Sequence, residues 1–311
     1  MVVVYNPIAG HGKSARAWAA IRPVLDARLG PGGYAVWETQ AKGQGEALGR
    51  RAAEEGYDLV AALGGDGTIS EVANGLLQVA PEKRCVLGVL PGGTGNDFAR
   101  TLGIPRTPVE AAHALLDGET RLLDAGRVNR RYFVNVSGVG FDAEVAREAN
   151  AIARRVGGIA SYIAAILKEL CTFSLAPVKL TIDGQTTHRN VLLVAVGNAR
   201  FCGGGLMLCP AADPGDGSFD VILGEDLTKL ETLLLLPRLF NGSHIRHPKV
   251  RSYRATKVTV EPSRALSIQS DGEIIGTAPV TFELIPKALK VAGCRPAPAA
   301  ESSKWTPGGS R

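Results

Sequence analysis

Short apolar runs alternate with helical patterns over the first part of the chain. The runs at Val2 to Tyr5, Asp58 to Leu63 and Cys85 to Leu90 are each followed by glycine and then by apolar positions at helical spacing. Strands that alternate with helices are typical of a parallel sheet covered by helices. The pattern therefore predicts an α/β unit over residues 1–124.

Capping patterns place two helices in this unit. Thr68-Ile69-Ser70-Glu71 and Thr107-Pro108-Val109-Glu110 both match the Ser/Thr-x-x-Glu box, whose side chains bind the free N–H groups of a first turn. Proline suits the first helical position. These patterns predict helices that begin near residues 68 and 108, the second ending at Gly118.

Beyond residue 124 the apolar pattern changes to a period of two, which predicts antiparallel strands with Asp-Gly turns at 183–184, 216–217 and 271–272. The predicted strands are Arg131 to Ser137, Val178 to Ile182, Asn190 to Val196, Lys257 to Val260 and Val280 to Leu284. Helices are predicted from about Asp142 to Cys171 and from Leu227 to Phe240. We interpret residues 125–293 as a second, β-rich domain, and the Pro-, Ala-, Ser- and Gly-rich residues 294–311 as a disordered tail.

The composition limits the class of protein, its expected location and its partners. The 311 residues are 45% hydrophobic and 21% charged, and no run reaches the roughly eighteen apolar residues of a membrane span. The start lacks the pattern of an export signal, so we expect a cytoplasmic protein. The five cysteines show no C-x-x-C spacing and are expected to be buried free thiols. The net charge of +5 favours an anionic membrane surface or a phosphate substrate over nucleic acid, because the cations form no dense block with aromatic residues.

Two glycine-rich segments follow the second and third of the apolar runs. They are Gly64-Gly65-Asp66-Gly67-Thr68 and Pro91-Gly92-Gly93-Thr94-Gly95-Asn96-Asp97. Loops at the carboxyl ends of adjacent parallel strands meet in one crevice, where glycine amides and helix N-termini can surround phosphate. The carboxylate of Asp66 would repel phosphate unless Mg²⁺ lay between them. The segments therefore predict a site for a magnesium nucleotide.

The loop after the first strand admits a second interpretation. Gly10, Gly12 and Ala15 match the G-x-G-x-x-A dinucleotide fingerprint, and Glu38 stands roughly where a ribose-binding acid would lie. Against this, Asn6 to Ala9 separate the strand from the glycines. A nicotinamide oxidoreductase stays the lowest-ranked alternative.

The motifs together resemble the bacterial diacylglycerol kinase family, which is related to sphingosine and ceramide kinases. The resemblance spans residues 1–290. It rests on Asn6-Pro7 with Gly10 and Gly12, on the glycine boxes at 64–68 and 91–100, and on Gly138-Val139-Gly140-Phe141-Asp142 and Asp271-Gly272-Glu273. It implies a phosphofructokinase-like nucleotide-binding α/β domain and a larger β-sandwich-like second domain, with ATP and the substrate between them.

The resemblance also implies site residues. Asp66 would engage Mg²⁺-ATP, and Asp97 would either support this cluster or cap the next helix. The nucleotide site would comprise Asn6, Gly10, His11, Gly12, Lys13, Thr39, Gly64, Gly65, Asp66, Gly67, Thr68, Glu71, Gly93, Thr94 and Asn96. A second-domain magnesium loop would use Asp213, Asp216 and Ser218, although without the resemblance this segment is an acidic turn.

Asp271 and Glu273 have the chemistry that a kinase needs in a base. A carboxylate can accept the proton of an attacking hydroxyl while the γ-phosphoryl group is transferred. The turn at Gly272 leaves open which acid is the base, and we favour Glu273.

The leucine-rich segment Lys229 to Phe240 could contact a bilayer while nearby cations meet anionic headgroups. The cations are His244, Arg246, His247, Lys249, Arg251 and Arg254. Arg154 and Arg155 are further candidates for contact with headgroups. The alternative is that the leucines are core and the cations a solvated face.

These patterns favour an ATP- and Mg²⁺-dependent kinase that phosphorylates a lipid hydroxyl, with diacylglycerol as the leading acceptor and phosphatidic acid as its product. The expected partners are a membrane lipid and, peripherally, an anionic membrane surface. A kinase acting on NAD and a catalytically silent nucleotide-binding regulator are the alternatives, and the sequence leaves a homodimer open.

Overall fold

The computed structural model describes residues 1–152 and 159–294. Apart from Cys294, the predicted tail lies outside this range, as do Arg154 and Arg155. The helices are α1 (Lys13–Leu29), α2 (Gln44–Glu54), α3 (Asp66–Leu77), α4 (Asp97–Thr101), α5 (Pro108–Asp117), α6 (Phe141–Ile152), α7 (Ile159–Thr172) and α8 (Lys229–Leu235), with 3-10 helices at Pro81–Lys83, Leu236–Phe240 and Ser243–Arg246. The strands are β1 (Val2–Tyr5), β2 (Ala35–Glu38), β3 (Leu59–Gly64), β4 (Val86–Pro91), β5 (Glu119–Val128), β6 (Arg131–Phe133), β7 (Val136–Gly140), β8 (Ala176–Ile182), β9 (Gln185–Gly197), β10 (Phe219–Glu225), β11 (Val250–Ala255), β12 (Lys257–Pro262), β13 (Ser267–Ser270), β14 (Glu273–Thr277) and β15 (Val280–Cys294).

The first four strands form the predicted parallel sheet. They lie in the order β2-β1-β3-β4, and each neighbouring pair is parallel. Val2, Val3 and Val4 are fully buried, which is why this run is apolar at every position rather than at alternate ones. Helix α1 packs against α5, and α2 packs against α3. This arrangement aligns the carboxyl ends of β1, β3 and β4 at one edge.

The later strands pair mainly antiparallel, as the period of two predicted. Strands β7, β8, β9, β10, β12 and β13 enclose an apolar core that includes Phe219 and Phe282. Strand β15 pairs antiparallel with β12 and β5, and near its end parallel with β4, so one sheet runs through both regions. The predicted mixed α/β fold with a β-rich second part is therefore confirmed. Among the residues placed, no helix is both long and apolar enough to cross a bilayer.

The local predictions had mixed outcomes. The helix predicted from Pro108 to Gly118 is confirmed, with Thr107 as its N-cap. The capping box at Thr68 is wrong, because α3 already begins at Asp66 with Gly65 as N-cap, and Thr68 and Glu71 are used for contacts outside the helix.

Two of the predicted Asp-Gly turns are two-residue hairpin turns. The turn at 183–184 joins β8 to β9, and the turn at 271–272 joins β13 to β14, with positive φ at all four residues. The turn at 216–217 instead lies in the long loop before β10. All five cysteines are free thiols, and Cys85, Cys209 and Cys294 are buried as predicted, whereas Cys202 is half-buried and Cys171 is exposed.

Candidate active site

Three loops meet at the carboxyl edge of β1, β3 and β4. The backbone N–H of Gly92 donates to the carbonyl of Gly64 at 2.8 Å. Gly10 has a φ of 60°, and a Cβ built there would lie 2.7 Å from the oxygen of Gly92, so the backbones approach more closely than any side chain allows. Asn6 Nδ2 donates to Thr68 Oγ1 at 3.0 Å. The predicted convergence of the glycine loops is present.

The last of these loops is closed by its own asparagine. Asn96 adopts a left-handed conformation, its Oδ1 accepts from the N–H of Gly93 at 3.0 Å, and its Nδ2 donates to the Gly93 carbonyl at 3.2 Å. Thr94 lies between them and faces the cavity described below. The side chain of Asn96 thus shapes the loop.

Glu71 anchors a fourth loop, between β2 and α2. Its carboxylate accepts from the N–H groups of Gly43 and Gly45 at 2.8 and 3.0 Å. Thr39 begins this loop and donates its N–H to the Tyr5 carbonyl at 2.8 Å. His11 and Lys13 lie in the loop after β1 and at the start of α1, with no side-chain hydrogen bond among the residues described. Thr39, His11 and Lys13 therefore stay predicted contacts.

The half-buried Asp66 and the buried Asp97 form an acidic pair. Asp66 Oδ1 accepts from the N–H of Phe98 at 3.1 Å, and Asp97 Oδ2 accepts from the N–H of Gly204 at 2.8 Å. A Cβ added to Gly95 would lie 2.9 Å from Asp66 Oδ2 and 3.5 Å from Asp97 Oδ2, so both carboxylates border one glycine. Burial and then the neighbouring Asp66 raise the pKa of Asp97 to about 7, and burial also raises the pKa of Asp66. The carboxylate of Asp97 thus joins the cluster rather than capping α4.

This pair fits a hard cation. Asp97 Oδ1 is buried and finds no hydrogen-bond partner within the described part of the chain. Oxygen ligands suit Mg²⁺, which usually takes one or two carboxylates and completes its shell with phosphate oxygens and water. No group of three or more His, Cys, Asp or Glu within residues 1–152 and 159–294 could hold a metal alone. The two carboxylates would therefore hold Mg²⁺ together with further oxygen ligands, such as phosphate oxygens and water.

Asp271 is held in the hairpin turn by three donors. Its Oδ2 accepts from Ser70 Oγ at 2.8 Å and from the N–H of Val134 at 3.0 Å, and its Oδ1 accepts from the N–H of Asn135 at 2.9 Å. Burial raises the pKa of Asp271, and these hydrogen bonds oppose the rise. Sequence reasoning did not find Ser70, although it lies four residues after Asp66 on the same helix, which was the available signal.

Glu273 points to a different set of partners. Lys42 Nζ lies 2.9 Å from its Oε1, and Arg131 Nη2 lies 2.9 Å from its Oε2. Lys42 comes from the loop that Glu71 anchors, so this ion pair joins the two halves of the chain. Neither cation belongs to a motif, so no sequence pattern indicated them. Both acids nevertheless border the same cavity.

A cavity of about 460 Å³ connects these groups to an apolar interior. Its polar end includes Lys42, Asp66, Thr94, Asp97, Asp271 and Glu273. Its other walls are mainly apolar and come from α6, α7, β9, the loop at 201–208, β10 and the segment 227–250; they include Phe141, Val145, Ala146, Ile166, Leu192, Leu206, Ile222, Leu235, Leu239 and Val250. The cavity can thus hold a molecule with one polar end and an apolar body.

The predicted magnesium loop of the second domain is occupied by arginine side chains. Arg254 contacts both Asp216 and Ser218, and Arg121 Nη2 lies 3.3 Å from Asp213 Oδ1. A cation bound to Asp216 would have to displace the Arg254 guanidinium. These residues do not fit a metal shell as they stand, and the metal site stays a prediction.

The leucine-rich segment has two faces. Leu235, Leu236 and Leu239 line the cavity, whereas Leu230 and Leu234 are each 65% exposed. The two interpretations offered by the sequence, core and surface, therefore apply to opposite faces of this segment.

Most of the cations near this segment are already paired. His244 is buried and its Nε2 lies 3.0 Å from the Leu208 carbonyl, so its prediction as a headgroup-binding cation is wrong. Three further cations make ion pairs at the surface, and their contact with headgroups stays a prediction. The pairs are Lys249 with Glu231, Arg251 with Glu225 and Arg254 with Asp216. Among the residues described, Arg246 and the additional Arg238 have no ion pair.

Comparisons with known proteins agree with this geometry. Residues 1–128 match the model of the diacylglycerol kinase catalytic domain, and residues 135–293 match the YegS C-terminal NAD kinase beta sandwich-like domain. A diacylglycerol kinase of Mycobacterium tuberculosis is 34% identical over 92% of each chain, and one of Bacillus subtilis is 30% identical over 90% of this chain and 91% of its own. A crystal structure of a diacylglycerol kinase from Bacillus anthracis, 24% identical, has a TM-score of 0.72 and covers 93% of this chain and 95% of that one, which supports the fold.

Proposed function

Because the chain belongs to the diacylglycerol kinase family and is a kinase, we propose that it transfers the γ-phosphoryl group of ATP to the hydroxyl of diacylglycerol, giving phosphatidic acid. The observation that carries this proposal is the cavity of about 460 Å³, which has acids at one end and apolar walls elsewhere. An amphiphile fits such a lining. A soluble dinucleotide such as NAD would place its phosphates and ribose hydroxyls against leucine side chains, which would leave polar groups unpaired.

The nucleotide is proposed to lie along the edge of β1, β3 and β4. The amides of the loops at Gly10 to Gly12, Gly64 to Thr68 and Gly93 to Asn96 would bind its phosphates, as in other glycine loops that precede helices. Asp66 and Asp97 would hold Mg²⁺, which would neutralise charge on the transferred group. The preorganised amides then stabilise the same charge without moving.

We propose Glu273 as the base and Asp271 as a positioning residue. Three donors fix Asp271 and with it the turn that aims Glu273. Glu273 takes the proton as the acceptor oxygen bonds to the γ-phosphorus and the bond from that phosphorus to the departing ADP oxygen breaks. Arg131 and Lys42 hold the carboxylate of Glu273 from two sides.

Contact with an anionic membrane surface on the cytoplasmic side is part of the proposal. Leu230 and Leu234 are 65% exposed and Phe240 is 51% exposed, on the segment whose opposite face lines the cavity. Apolar side chains at an interface bind the acyl boundary, and cations such as Arg238 and Arg246 add attraction to anionic headgroups. One segment would thereby link the bilayer to the acceptor site.

The test is phosphoryl transfer from labelled ATP in the presence of Mg²⁺, with diacylglycerol in anionic vesicles and with NAD as a soluble acceptor. We expect labelled phosphatidic acid from the natural chain and almost none from Glu273→Gln. Labelled NADP with no labelled lipid would show that the acceptor assignment is wrong. Binding of ATP without transfer to any acceptor would instead indicate a silent regulator.

A further inference from the structure

We infer that the cavity takes one acyl chain of the lipid acceptor and leaves a second chain outside. The inference rests on the proposed lipid phosphorylation and goes further by limiting which part of the lipid the protein encloses. It follows from the volume of the cavity, from the position of its polar end and from the apolar side chains that line it.

The volume sets the first limit. An apolar cavity of about 150 Å³ is known to hold one benzene, or six carbon atoms. At that density the cavity of about 460 Å³ holds about eighteen non-hydrogen atoms, counting those at the polar end. Two chains of about sixteen carbons each would need about 800 Å³. The glycerol unit and the ester carbonyl oxygen take about seven of these atoms, so the cavity has room for them and for one chain of about ten to twelve carbons.

The position of the acids sets the second limit. The reacting hydroxyl must lie beside Glu273, so the enclosed chain starts at that end of the cavity. The walls along which it then runs include Ala146 of α6 and Leu239 of the 3-10 helix at 236–240. A chain longer than the volume of the cavity allows cannot be enclosed over its whole length. The length of the enclosed chain is therefore restricted, whereas the length of a chain left in the bilayer is not.

The experiment compares acceptors with one chain and with two chains. Monoacylglycerols with chains of about six to twenty carbons should show an optimum of kcat/KM at about ten to twelve carbons. Diacylglycerols with one short and one variable chain should be phosphorylated at similar rates when the variable chain is extended beyond that length, since the protein can enclose the short chain. Detergent micelles of constant composition keep presentation equal across the series.

Two variants change the depth in opposite directions. Ala146→Leu adds three carbons to the lining and should shorten the optimum by about three carbons, whereas Leu239→Ala removes three and should lengthen it by about three. Leu116→Ala is the matched control, because this leucine is partly buried against the apolar core around β1, β3 and β4 and does not line the cavity. Its optimum should equal that of the natural chain.

The inference is overturned if lipids are phosphorylated but the optimum stays unchanged in both cavity variants, or if extending either chain of a diacylglycerol lowers the rate equally. Such results would leave lipid phosphorylation itself intact. Absence of phosphorylation of every lipid would refute the proposed function first, and the inference with it.

Discussion

The substitution Asp97→Asn should make the nucleotide-free protein more stable at neutral and alkaline pH. Asp97 is buried beside Asp66, and one of its carboxylate oxygens is buried without a partner. Asparagine keeps the shape and an oxygen for the N–H of Gly204, but carries no charge. Two neighbouring carboxylates repel each other and lose hydration when no cation lies between them. The substitution removes this unfavourable free energy from the folded protein.

The size of the effect follows from the pKa of Asp97. Burial and Asp66 raise this pKa from 3.8 to about 7 in the folded protein. At about 1.4 kcal/mol per pH unit, the shift corresponds to about 4 kcal/mol. The pKa of Asp97 is higher in the folded protein than in the unfolded chain, so a proton on Asp97 stabilises the folded protein. This stabilisation is complete below about pH 4 and is lost as the pH rises to about 7. Asp97→Asn should therefore gain up to about 4 kcal/mol above pH 7, and about 2 to 3 kcal/mol less at pH 5.

The assay is urea unfolding of the free protein at pH 5, 6, 7 and 8, repeated with Mg²⁺ and ATP. The matched control is Asp58→Asn, which removes an exposed carboxylate and should shift stability little at any of these pH values. Mg²⁺ with ATP should stabilise the natural chain more than Asp97→Asn, since ligand binding adds stability in proportion to affinity. An advantage of Asp97→Asn that is absent at pH 8, or that is equal at pH 5 and pH 8, would refute this reasoning.

Three further substitutions test the remaining parts of the site. Glu273→Gln should lower kcat/KM for diacylglycerol by about 10²- to 10⁴-fold without a change in the thermal unfolding midpoint, and retention of activity would exclude Glu273 as the base. Ser70→Ala removes the 2.8 Å hydrogen bond to Asp271 and raises the pKa of Asp271 further, so the free energy of unfolding in urea should fall by about 1 to 3 kcal/mol, and by more at pH 8 than at pH 4. Equal losses at the two pH values would show that Asp271 is not the group affected. Gly10→Ala places a Cβ 2.7 Å from a facing backbone oxygen at a residue with a φ of 60°, so the KM for ATP should rise by about tenfold or more. Gly56→Ala, with a φ of 77° and open space around its Cβ, should lose stability only, and similar ATP kinetics in the two variants would contradict the close approach.

The sequence was sufficient for the features that depend on local order. A glycine loop that follows a buried strand must lie at the carboxyl edge of a parallel sheet, so the positions of Gly64 and Gly92 followed from the strand pattern. The hairpin turn at Asp271 followed from its Asp-Gly pair and the alternating residues around it. In both cases the decisive contacts lie within a few residues or between neighbouring strands.

The features that were missed depend on contacts between distant residues. Lys42 and Glu273 are 231 positions apart, and nothing near either residue indicates the other. The walls of the cavity come from two helices, two strands and the segment after β10, so its depth exists only once these elements are packed. The start of α3 was misplaced for a related reason: Thr68 and Glu71 have the composition of a capping box, but the folded chain uses their side chains to bind other loops.

Helix α3 connects the proposed nucleotide site to the proposed acceptor site through polar side chains that are almost completely buried. Glu71 fixes the loop that carries Lys42, while Ser70 binds Asp271. Asn74, one turn further on, donates to the carbonyl of Tyr132 at 2.8 Å and accepts its N–H at 2.9 Å, which docks β6 onto the helix. Buried groups with all hydrogen bonds made hold one geometry, because any displacement leaves a donor or acceptor unpaired. The glycine loops and the acids at 271 and 273 are therefore positioned by one rigid element, as the proposed in-line transfer between two bound substrates would require.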